Sequence, residues 1–358
     1  MKDLVRENVT LAPLTTLGVG GPARYFIHAD SEKTVIEADA FARDRNLPVL
    51  VLGGGSNLVI ADEGFPGLAI QITTGGIQWI DDGPHVRVVA GAGENWDRVV
   101  AEAVGRNLSG MECLSGIPGS VGGTPVQNVG AYGQEVAETL IGVRAFDREK
   151  KQIVELSRKD CGFTYRTSIF NSTARGRYIV TSVTYLWQKD GVPSLMYPDL
   201  SKELEGRSQP SLTEVRAAVR RIRARKSMLL QDGDPNCRSA GSFFKNPIVS
   251  PAVLADIEKR AGLPVPHYPA ADGQVKLAAA WLIEQAGISR GYRRGPVSVS
   301  TRHTLALVCG AGATTTALLA LAAEIRSRVE EHHGVRLEVE PVLVGNWGQT
   351  GCFPISNA

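Results

Sequence analysis

The fold prediction for this chain starts from Leu52-Gly53-Gly54-Gly55-Ser56-Asn57-Leu58. This stretch follows the aliphatic run 48–51, which is typical of a buried strand, and precedes a second apolar run. Three consecutive glycines accept positive φ and leave backbone N–H groups uncovered, so the turn can bind an anionic group. An ordinary hairpin turn explains the glycines equally well. The stretch is neither a GxGxxG fingerprint nor a Walker loop, so a phosphate site here would belong to another nucleotide fold.

Composition places the chain among ordinary globular proteins. Of 358 residues, 43% are hydrophobic and 21% charged, and the net charge of +2 gives no reason to expect a nucleic-acid or membrane partner. The five cysteines form no CxxC pair and predict free thiols in a reducing cytosol. No zinc-site spacing, signal-peptide core or membrane-length apolar run is present, so we expect a cytoplasmic protein without a metal.

A second glycine-rich segment covers residues 115–133, with six glycines between Gly116 and Gly133. A plain surface loop rarely contains so many, and the aliphatic residues between them suggest that the segment is buried. A buried segment must satisfy its backbone N–H groups, and a polar ligand is one way to do so.

Hydrophobic periodicity predicts a mixed α and β chain. Helices are expected at 31–45, 94–107, 212–226, 251–261, 277–286 and 314–331. Strands are expected at 23–29, 48–51, 68–72, 86–90, 141–147, 152–157, 178–187 and 339–344. In the first helix Ser31 is the predicted N-cap, with an inward face made by Val35, Ile36, Ala38 and Phe41. Glu338 and Glu340 should share one face of the last strand, and the polar segment 230–241 is the best candidate boundary.

Further motifs give the chain its family resemblance. They are Gln127-Asn128-Val129-Gly130-Ala131-Tyr132-Gly133, Tyr165-Arg166-Thr167-Ser168 and Gly241-Ser242-Phe243-Phe244-Lys245-Asn246-Pro247. In order with the two glycine segments and the carboxylates near the C-terminus, they resemble the UDP-N-acetylenolpyruvoylglucosamine reductase (MurB) family of peptidoglycan synthesis. The resemblance runs from about Thr15 to Gly345, and Met196-Tyr197-Pro198-Asp199-Leu200 is similar to a loop of the type I members. Pro341 stands where the family usually has an aliphatic residue.

The resemblance implies an α+β fold. A two-lobed FAD-binding domain of the vanillyl-alcohol-oxidase (PCMH) type would be followed by a smaller α+β substrate-binding domain. The implied divisions are lobe 1 at 1–70, lobe 2 at 71–228, the substrate-binding domain at 229–336 and a C-terminal strand at 337–358 that returns to the active site.

The resemblance also implies an oxidoreductase that binds FAD and uses NADPH to reduce UDP-N-acetylglucosamine enolpyruvate to UDP-N-acetylmuramate. FAD attachment should be non-covalent, because neither glycine segment contains a histidine. The implied catalytic residues are Arg166 and Glu340, which stabilise negative charge, and Ser242, which donates the proton. The implied cofactor-binding residues are Gly53, Gly54, Gly55, Ser56, Asn57, Gly116, Ile117, Gly119, Ser120, Gly122, Gly123 and Tyr132. The implied substrate-binding residues are Tyr165, Tyr197, Lys226, Asn246, Tyr268 and Lys276, and Gln285 is a weaker candidate.

Two other functions fit parts of the sequence. An FAD-dependent alcohol or sugar oxidase would use the same flavin fold, and a nucleic-acid binder would use the basic helix at 212–226, which is also explained as a solvated face. Taken singly, Arg166 resembles a surface ion-pair residue, Ser242 a turn hydroxyl and Cys113 a buried thiol. We expect a monomer that binds its small-molecule substrates but neither nucleic acid nor membrane.

Overall fold

The computed structural model describes residues 4–345. Residues 1–3 and residues 346–358, which include Cys352 and most of the predicted C-terminal segment, lie outside the described residues. The other four cysteines, Cys113, Cys161, Cys237 and Cys309, are free thiols, as expected. No helix in the described range combines the length and apolar character needed to cross a membrane. The same range contains no cluster of histidine, cysteine or acidic side chains suited to a metal ion.

The first lobe is a small sheet covered by one helix. Its elements are β1 (Arg6–Thr10), β2 (Pro22–Ala29), α1 (Glu32–Asp44), β3 (Val49–Leu52), β4 (Leu58–Ile60) and β5 (Phe65–Ile72). The sheet order is β1-β2-β5-β3, with β2 and β3 parallel to β5. Ser31 caps α1 by accepting the Thr34 N–H, as predicted. The inward placement of Ile36 is wrong: it is 37% exposed, because it lies one residue, or about 100°, from the buried Val35.

The glycine turn that joins β3 to β4 does not close a hairpin. β3 pairs with β5, whereas β4 pairs in parallel with β20, the strand Val342–Val344 at the other end of the chain. The hairpin alternative is therefore wrong. The turn lies at the carboxyl edge of a parallel pair, where open α/β sheets usually bind their ligands.

The second lobe is an antiparallel sheet backed by a helix. Its elements are β6 (Ile77–Asp82), β7 (His85–Gly91), α2 (Trp96–Gly105), β8 (Leu108–Ser109), β9 (Gly130–Ala131), β10 (Gln134–Glu135), α3 (Val136–Thr139), β11 (Leu140–Asp147), β12 (Gln152–Ser157) and β13 (Tyr178–Lys189). The main order is β12-β11-β13-β7-β6, and β8 also pairs with β13. One hydrophobic core joins both lobes, with Val35 of α1 in the same cluster as Trp96 and Trp187. The lobe boundary placed at 70/71 falls inside β5, which ends at Ile72.

The remaining elements build the C-terminal part of the molecule. They are α4 (Pro198–Glu203), α5 (Leu212–Arg225), β14 (Ile248–Val249), α6 (Pro251–Ala261), β15 (His267–Pro269), β16 (Val275–Leu277), α7 (Ala279–Gln285), β17 (Arg293–Arg294), β18 (Val297–Val299), β19 (Leu307–Cys309), α8 (Thr315–His333) and β20. A second hydrophobic core packs α6, α7 and α8 around the short strands. The last strand is shorter than predicted, since it begins at Val342 rather than Val339.

Candidate active site

The two glycine segments lie against each other and form one wall of a large cavity. An ideal Cβ at Gly54 would lie 2.7 Å from the Cα of Gly119, so only glycines permit this approach. The Ser56 hydroxyl donates to the Pro118 carbonyl at 3.0 Å. The cavity has a volume of about 1690 Å³. It is larger than a typical pocket for one small ligand, which is about 300–1,000 Å³.

The first glycine turn supplies most of the free donors. None of the five backbone N–H groups of residues 53–57 has an acceptor within the described chain. In the second segment, by contrast, the N–H groups of Val121, Gly122 and Gly123 donate to carbonyls of the protein at 2.9, 2.8 and 3.0 Å. Residues 53–57 therefore form a continuous run of unpaired donors, and the nest expected in the second segment stays a prediction, because the N–H groups of Gly119 and Ser120 have no acceptor within residues 4–345 either.

Gly116 is the one implied cofactor-binding residue that does not line the cavity. Its N–H donates to Asp97 Oδ1 at 2.6 Å, and its carbonyl accepts from Arg223 Nε at 3.1 Å. Its glycine identity is explained by packing, because φ is +73° and a Cβ would lie 2.4 Å from the Leu229 side chain. Both backbone groups are in use, so Gly116 shapes the segment rather than contacting a ligand.

Arg166 reaches the cavity from the tip of a tight turn. Thr164 and Thr167 close the turn with two backbone hydrogen bonds of 3.0 and 3.2 Å. Arg166 has a φ of +55°, a conformation that costs a non-glycine residue roughly 1–3 kcal/mol and concentrates at functional sites. Its Nη2 donates to the Gly130 carbonyl at 2.7 Å, which directs the guanidinium across the cavity.

Glu340 faces Arg166 from the C-terminal end of the described chain. The Nε of Arg166 lies 3.1 Å from Glu340 Oε1, and this ion pair is largely buried. The two atoms are not aligned as a hydrogen bond, so Arg166 Nε keeps a buried N–H without an aligned acceptor within residues 4–345. An orphaned donor of this kind is expected where a ligand completes the site.

Ser242 is held next to Glu340 by backbone pairing. The Glu340 N–H donates to the Phe243 carbonyl, and the Lys245 N–H donates to the Glu338 carbonyl, each at 2.9 Å. Ser242 and Glu340 both line the cavity. Glu338 and Glu340 are not equivalent, because their side chains are 76% and 14% exposed. The chain changes pairing partner at Pro341, from the 243–245 segment to β4, which explains the late start of β20.

The surroundings shift the pKa of the ionisable groups in predictable directions. Burial raises the pKa of Glu340, while Arg166 and Lys245 oppose that change. Burial lowers the pKa of Lys276, with Glu135 opposing and Arg166 adding to the effect. The Lys276 ammonium lies 4.5 Å from the centre of the Tyr165 ring, at cation–π distance. Glu340 therefore keeps its proton to a higher pH than an exposed glutamate.

Three tyrosines surround the other side of the cavity. Tyr197 precedes α4, and its ring meets that of Tyr132 edge-on with centroids 5.3 Å apart. The pKa of Tyr197 is raised by burial and by neighbours that include Tyr268, so its hydroxyl stays protonated. Lys226, at the end of α5, already contacts Asp199 Oδ2 at 2.8 Å.

Apart from Gly116 and the weaker candidate Gln285, all the implied site residues line this same cavity. Asn246 also holds the start of α7, because its Oδ1 accepts a hydrogen bond from the Ala279 N–H at 3.0 Å. Asn57 Nδ2 donates a hydrogen bond to Gln127 Oε1 at 2.5 Å. Gln285 lies at the exposed end of α7 and is not among the cavity-lining residues.

The comparisons with known proteins agree with this arrangement. A family model described as the C-terminal domain of UDP-N-acetylenolpyruvoylglucosamine reductase matches residues 234–344, and an FAD binding domain model matches residues 23–157. The UDP-N-acetylenolpyruvoylglucosamine reductase of Thermobifida fusca is 46% identical over 350 residues, covering 95% of this chain and 98% of that protein. The enzyme of that name from Streptomyces coelicolor is 46% identical over 349 residues, covering 95% and 90%.

The chain belongs to the UDP-N-acetylenolpyruvoylglucosamine reductase family. The crystal structure of the family enzyme from Thermus caldophilus covers 95% of this chain and 100% of its own, with a TM-score of 0.65 and 28% identity. The predicted fold class is confirmed, and the protein is an FAD-dependent oxidoreductase. The nest at residues 53–57 fits the pyrophosphate of FAD, because these residues line the cavity and none of their N–H groups has an acceptor among residues 4–345.

Sequence reasoning missed several cavity residues. Arg223 was assigned with the rest of its helix to a solvated face, yet it is buried, and its four-residue spacing from Val219 was the signal that could have shown this. His303 lines the cavity from the loop between β18 and β19, and nothing in its local sequence marks it. Burial lowers the pKa of His303 to about 4, so it is neutral at pH 7.

Proposed function

We propose that this protein catalyses the NADPH-dependent reduction of UDP-N-acetylglucosamine enolpyruvate to UDP-N-acetylmuramate, a step of peptidoglycan synthesis. The observation that carries the proposal is the meeting of Arg166, Ser242 and Glu340 in one cavity with the glycine turn. An anionic alkene needs a cation for its carboxylate, a group that stabilises developing charge and a proton donor. Family membership supports the substrate assignment.

FAD would be held by the N–H groups of residues 53–57, with Ile117, Gly119, Ser120, Gly122, Gly123 and Tyr132 completing the wall. When bound, FAD would supply the two-electron chemistry that links NADPH to the enolpyruvyl methylene carbon. Non-covalent attachment stays a prediction, as do the monomeric state and the cytoplasmic location.

Arg166 would bind the substrate carboxylate through its Nε–H, which has no aligned acceptor among residues 4–345. When the methylene carbon gains a hydride, negative charge develops at the neighbouring carbon and spreads into that carboxylate. Glu340 would stabilise this charge as a neutral acid that donates a hydrogen bond, in line with the raised pKa that burial gives it. The Ser242 hydroxyl would then donate its proton to the carbanionic carbon, recovering one from solvent or a neighbour.

The polar side chains around the entrance would bind the nucleotide part of the substrate. Tyr197 and Tyr268 lie close enough for their hydroxyls to interact, and Lys226 and Lys276 bring positive charge. Asn246 keeps an amide NH₂ to donate, since only its oxygen is used by α7. Lys226 donates to Asp199 Oδ2 in this structure, and it would donate to a phosphate of the substrate as well when the substrate binds.

Anaerobic stopped-flow absorbance tests the proposal by separating the two half-reactions. NADPH should bleach the bound flavin, and UDP-N-acetylglucosamine enolpyruvate should restore its colour. Ser242→Ala should leave the first step nearly unchanged and slow the second by roughly 10²- to 10⁴-fold, the usual contribution of a general acid. Ser250→Ala is the control, because it removes a hydroxyl that only caps α6.

Three results would contradict the proposal. If Ser242→Ala slows both half-reactions equally, Ser242 is not the proton donor. Restoration of colour by oxygen alone would favour an oxidase of the same flavin fold, and purified protein that stays colourless with added FAD would bring back the nucleic-acid-binding alternative.

A further inference from the structure

Glu112 is a buried carboxylate whose partners are all N–H groups. Only 1% of the residue is exposed. Its Oε2 accepts the backbone N–H groups of Gly110 and Met111 at 2.8 and 3.0 Å. Its Oε1 accepts from Gln134 Nε2 at 2.8 Å and from the Ser194 N–H at 3.0 Å. Glu112 does not line the cavity, so its carboxylate acts on other parts of the chain rather than on a ligand.

Ser194 is the distant partner in this network. It lies 82 residues after Glu112, whereas the other three donors lie beside the second glycine segment. The Ser194 carbonyl is held too, because Cys113 Sγ donates to it at 3.5 Å. Burial raises the pKa of Cys113, so the thiol keeps the proton that it donates. Two consecutive residues therefore fix both backbone groups of Ser194.

The segment around Ser194 has few other contacts. Among residues 191–197, the Ser194 N–H is the only backbone N–H with an acceptor within the described chain. The apolar side chains of Val192 and Met196 are exposed, so their burial does not hold the segment in place. Since a segment with few contacts opens easily, its position depends on the hydrogen bonds at Ser194.

Tyr197 is the residue that this arrangement places. It follows Ser194 by three residues, which span at most about 10 Å. On its other side, α4 begins at Pro198 and packs through Leu200 into the cluster formed with α5. Tyr197 is therefore held between a fixed peptide and a packed helix, where its ring lines the cavity beside Tyr132.

We propose that Glu112 is a positioning residue for substrate binding. By accepting the Ser194 N–H, it holds Tyr197 where the ring covers the substrate, and it does so without touching the substrate. A hydrogen bond to a carboxylate is stronger than one between neutral groups, and burial strengthens it further. This inference rests on the substrate role proposed for Tyr197 and does not depend on how FAD is held.

Two variants remove the same hydrogen bond from opposite ends. Glu112→Gln replaces one carboxylate oxygen by an NH₂ group, so no orientation of the amide can accept all four donors. Ser194→Pro removes the N–H and leaves Glu112 unchanged. Val192→Pro is the matched control, because it places the same ring in the same segment, at a residue that Pro193 already favours in an extended conformation. The N–H that it removes has no acceptor within residues 4–345.

Anaerobic stopped-flow absorbance at a series of substrate concentrations gives the apparent dissociation constant of UDP-N-acetylglucosamine enolpyruvate. Glu112→Gln and Ser194→Pro should each raise this constant by roughly 10- to 150-fold, the value of a hydrogen bond to a charged group. The dissociation constant of FAD should stay that of the parent protein. The double variant should bind substrate about as weakly as either single variant, because only one bond is lost, and Val192→Pro should resemble the parent.

Two measurements separate positioning from a purely structural role. If Glu112 acts through Tyr197, Glu112→Gln should add little to the loss that Tyr197→Phe causes, whereas a structural role predicts that the two losses add. Hydrogen exchange of the holoenzyme should be faster over residues 191–197 in Glu112→Gln than in the parent. If Glu112→Gln does not fold, Ser194→Pro, which lies in a partly exposed loop, provides the same comparisons.

The possible failures can be told apart. If Tyr197→Phe weakens substrate binding but neither Glu112→Gln nor Ser194→Pro does, the inference is wrong and the proposed function stands. Additive losses, or unchanged hydrogen exchange over residues 191–197, would also overturn the inference. If the reduced flavin of the parent protein is not reoxidised by the substrate, the proposed function is wrong, even where hydrogen exchange shows that Glu112 holds the segment.

Discussion

Replacing Gly54 with alanine tests whether the two glycine segments form one cofactor-binding wall. The new Cβ would lie 2.7 Å from the Cα of Gly119 and 3.0 Å from its carbonyl carbon, and backbone cannot rotate away as a side-chain tip can. Reaching ordinary contact at 3.4 Å requires the segments to part by about 0.7 Å. Overpacking of this kind costs about 1–3 kcal/mol, which corresponds to a roughly 5- to 150-fold loss if it falls on FAD affinity.

Two other glycines provide matched controls for Gly54→Ala. A Cβ at Gly105, in α2 and outside the cavity, meets no atom within 4 Å, so Gly105→Ala should leave FAD binding unchanged. A Cβ at Gly123 also meets no protein atom within 4 Å, but this residue lines the cavity. Gly123→Ala should therefore keep the Tm of the FAD-free protein and still weaken FAD.

The assay pairs the Tm of FAD-free protein with the FAD dissociation constant from fluorescence quenching. Gly54→Ala should lower both stability and affinity, Gly123→Ala should lower affinity alone, and Gly105→Ala should lower neither. If Gly54→Ala and Gly123→Ala both bind FAD as the parent does, the cofactor does not lie on this wall and the reasoning is refuted.

Four further predictions concern the substrate side of the cavity. Reoxidation of the flavin by substrate should slow as the pH rises through the raised pKa of Glu340, and Glu340→Gln should flatten that stopped-flow pH profile; an unchanged profile would exclude the neutral-acid role. The folded state holds the Glu340 proton more tightly than the unfolded state does. The unfolding free energy of the FAD-free protein should therefore fall as the pH rises from the ordinary pKa of glutamate to the raised pKa of Glu340. Denaturant titrations at several pH values measure this fall, and Glu340→Gln should abolish it. Tyr197→Phe should weaken substrate binding more than FAD binding in parallel titrations, whereas a selective loss of FAD would contradict the lid role. Lys276→Met should raise the KM for the substrate with little change in the spectrum or affinity of the flavin, because its ammonium lies over the Tyr165 ring at the cavity wall.

Local patterns in the sequence were enough to predict much of the secondary structure. Helix α6 and strand β12 have the predicted bounds, since each has clear turn or cap residues at its ends. The two glycine segments were predicted to be ligand loops because so much bare backbone has few other uses, and both lie at the wall of the cavity. The resemblance then placed Arg166, Ser242 and Glu340, and the structure brings all three to one cavity.

What could not be predicted depends on contacts between distant parts of the chain. The partner of β4 is β20, more than 280 residues later, so no local signal separates this connection from a hairpin. The role of Gly116 depends on Asp97 and Arg223, which lie on two different helices. The shortened last strand depends on two competing backbone partners that meet at Pro341.

The site is divided into a fixed part and an adjustable part. Ser242 and Glu340 are fixed relative to each other, because two backbone hydrogen bonds of 2.9 Å join their segments on both sides of Phe244. Arg166 comes from the FAD-binding lobe on a short turn, and it meets Glu340 only through an ion pair that lacks hydrogen-bond alignment. A rearrangement around bound substrate can therefore change the Arg166–Glu340 contact at little cost while Ser242 and Glu340, the proposed proton donor and acid, keep their spacing. In the proposed reaction, the substrate carboxylate would be the aligned acceptor that the Arg166 Nε–H lacks among residues 4–345.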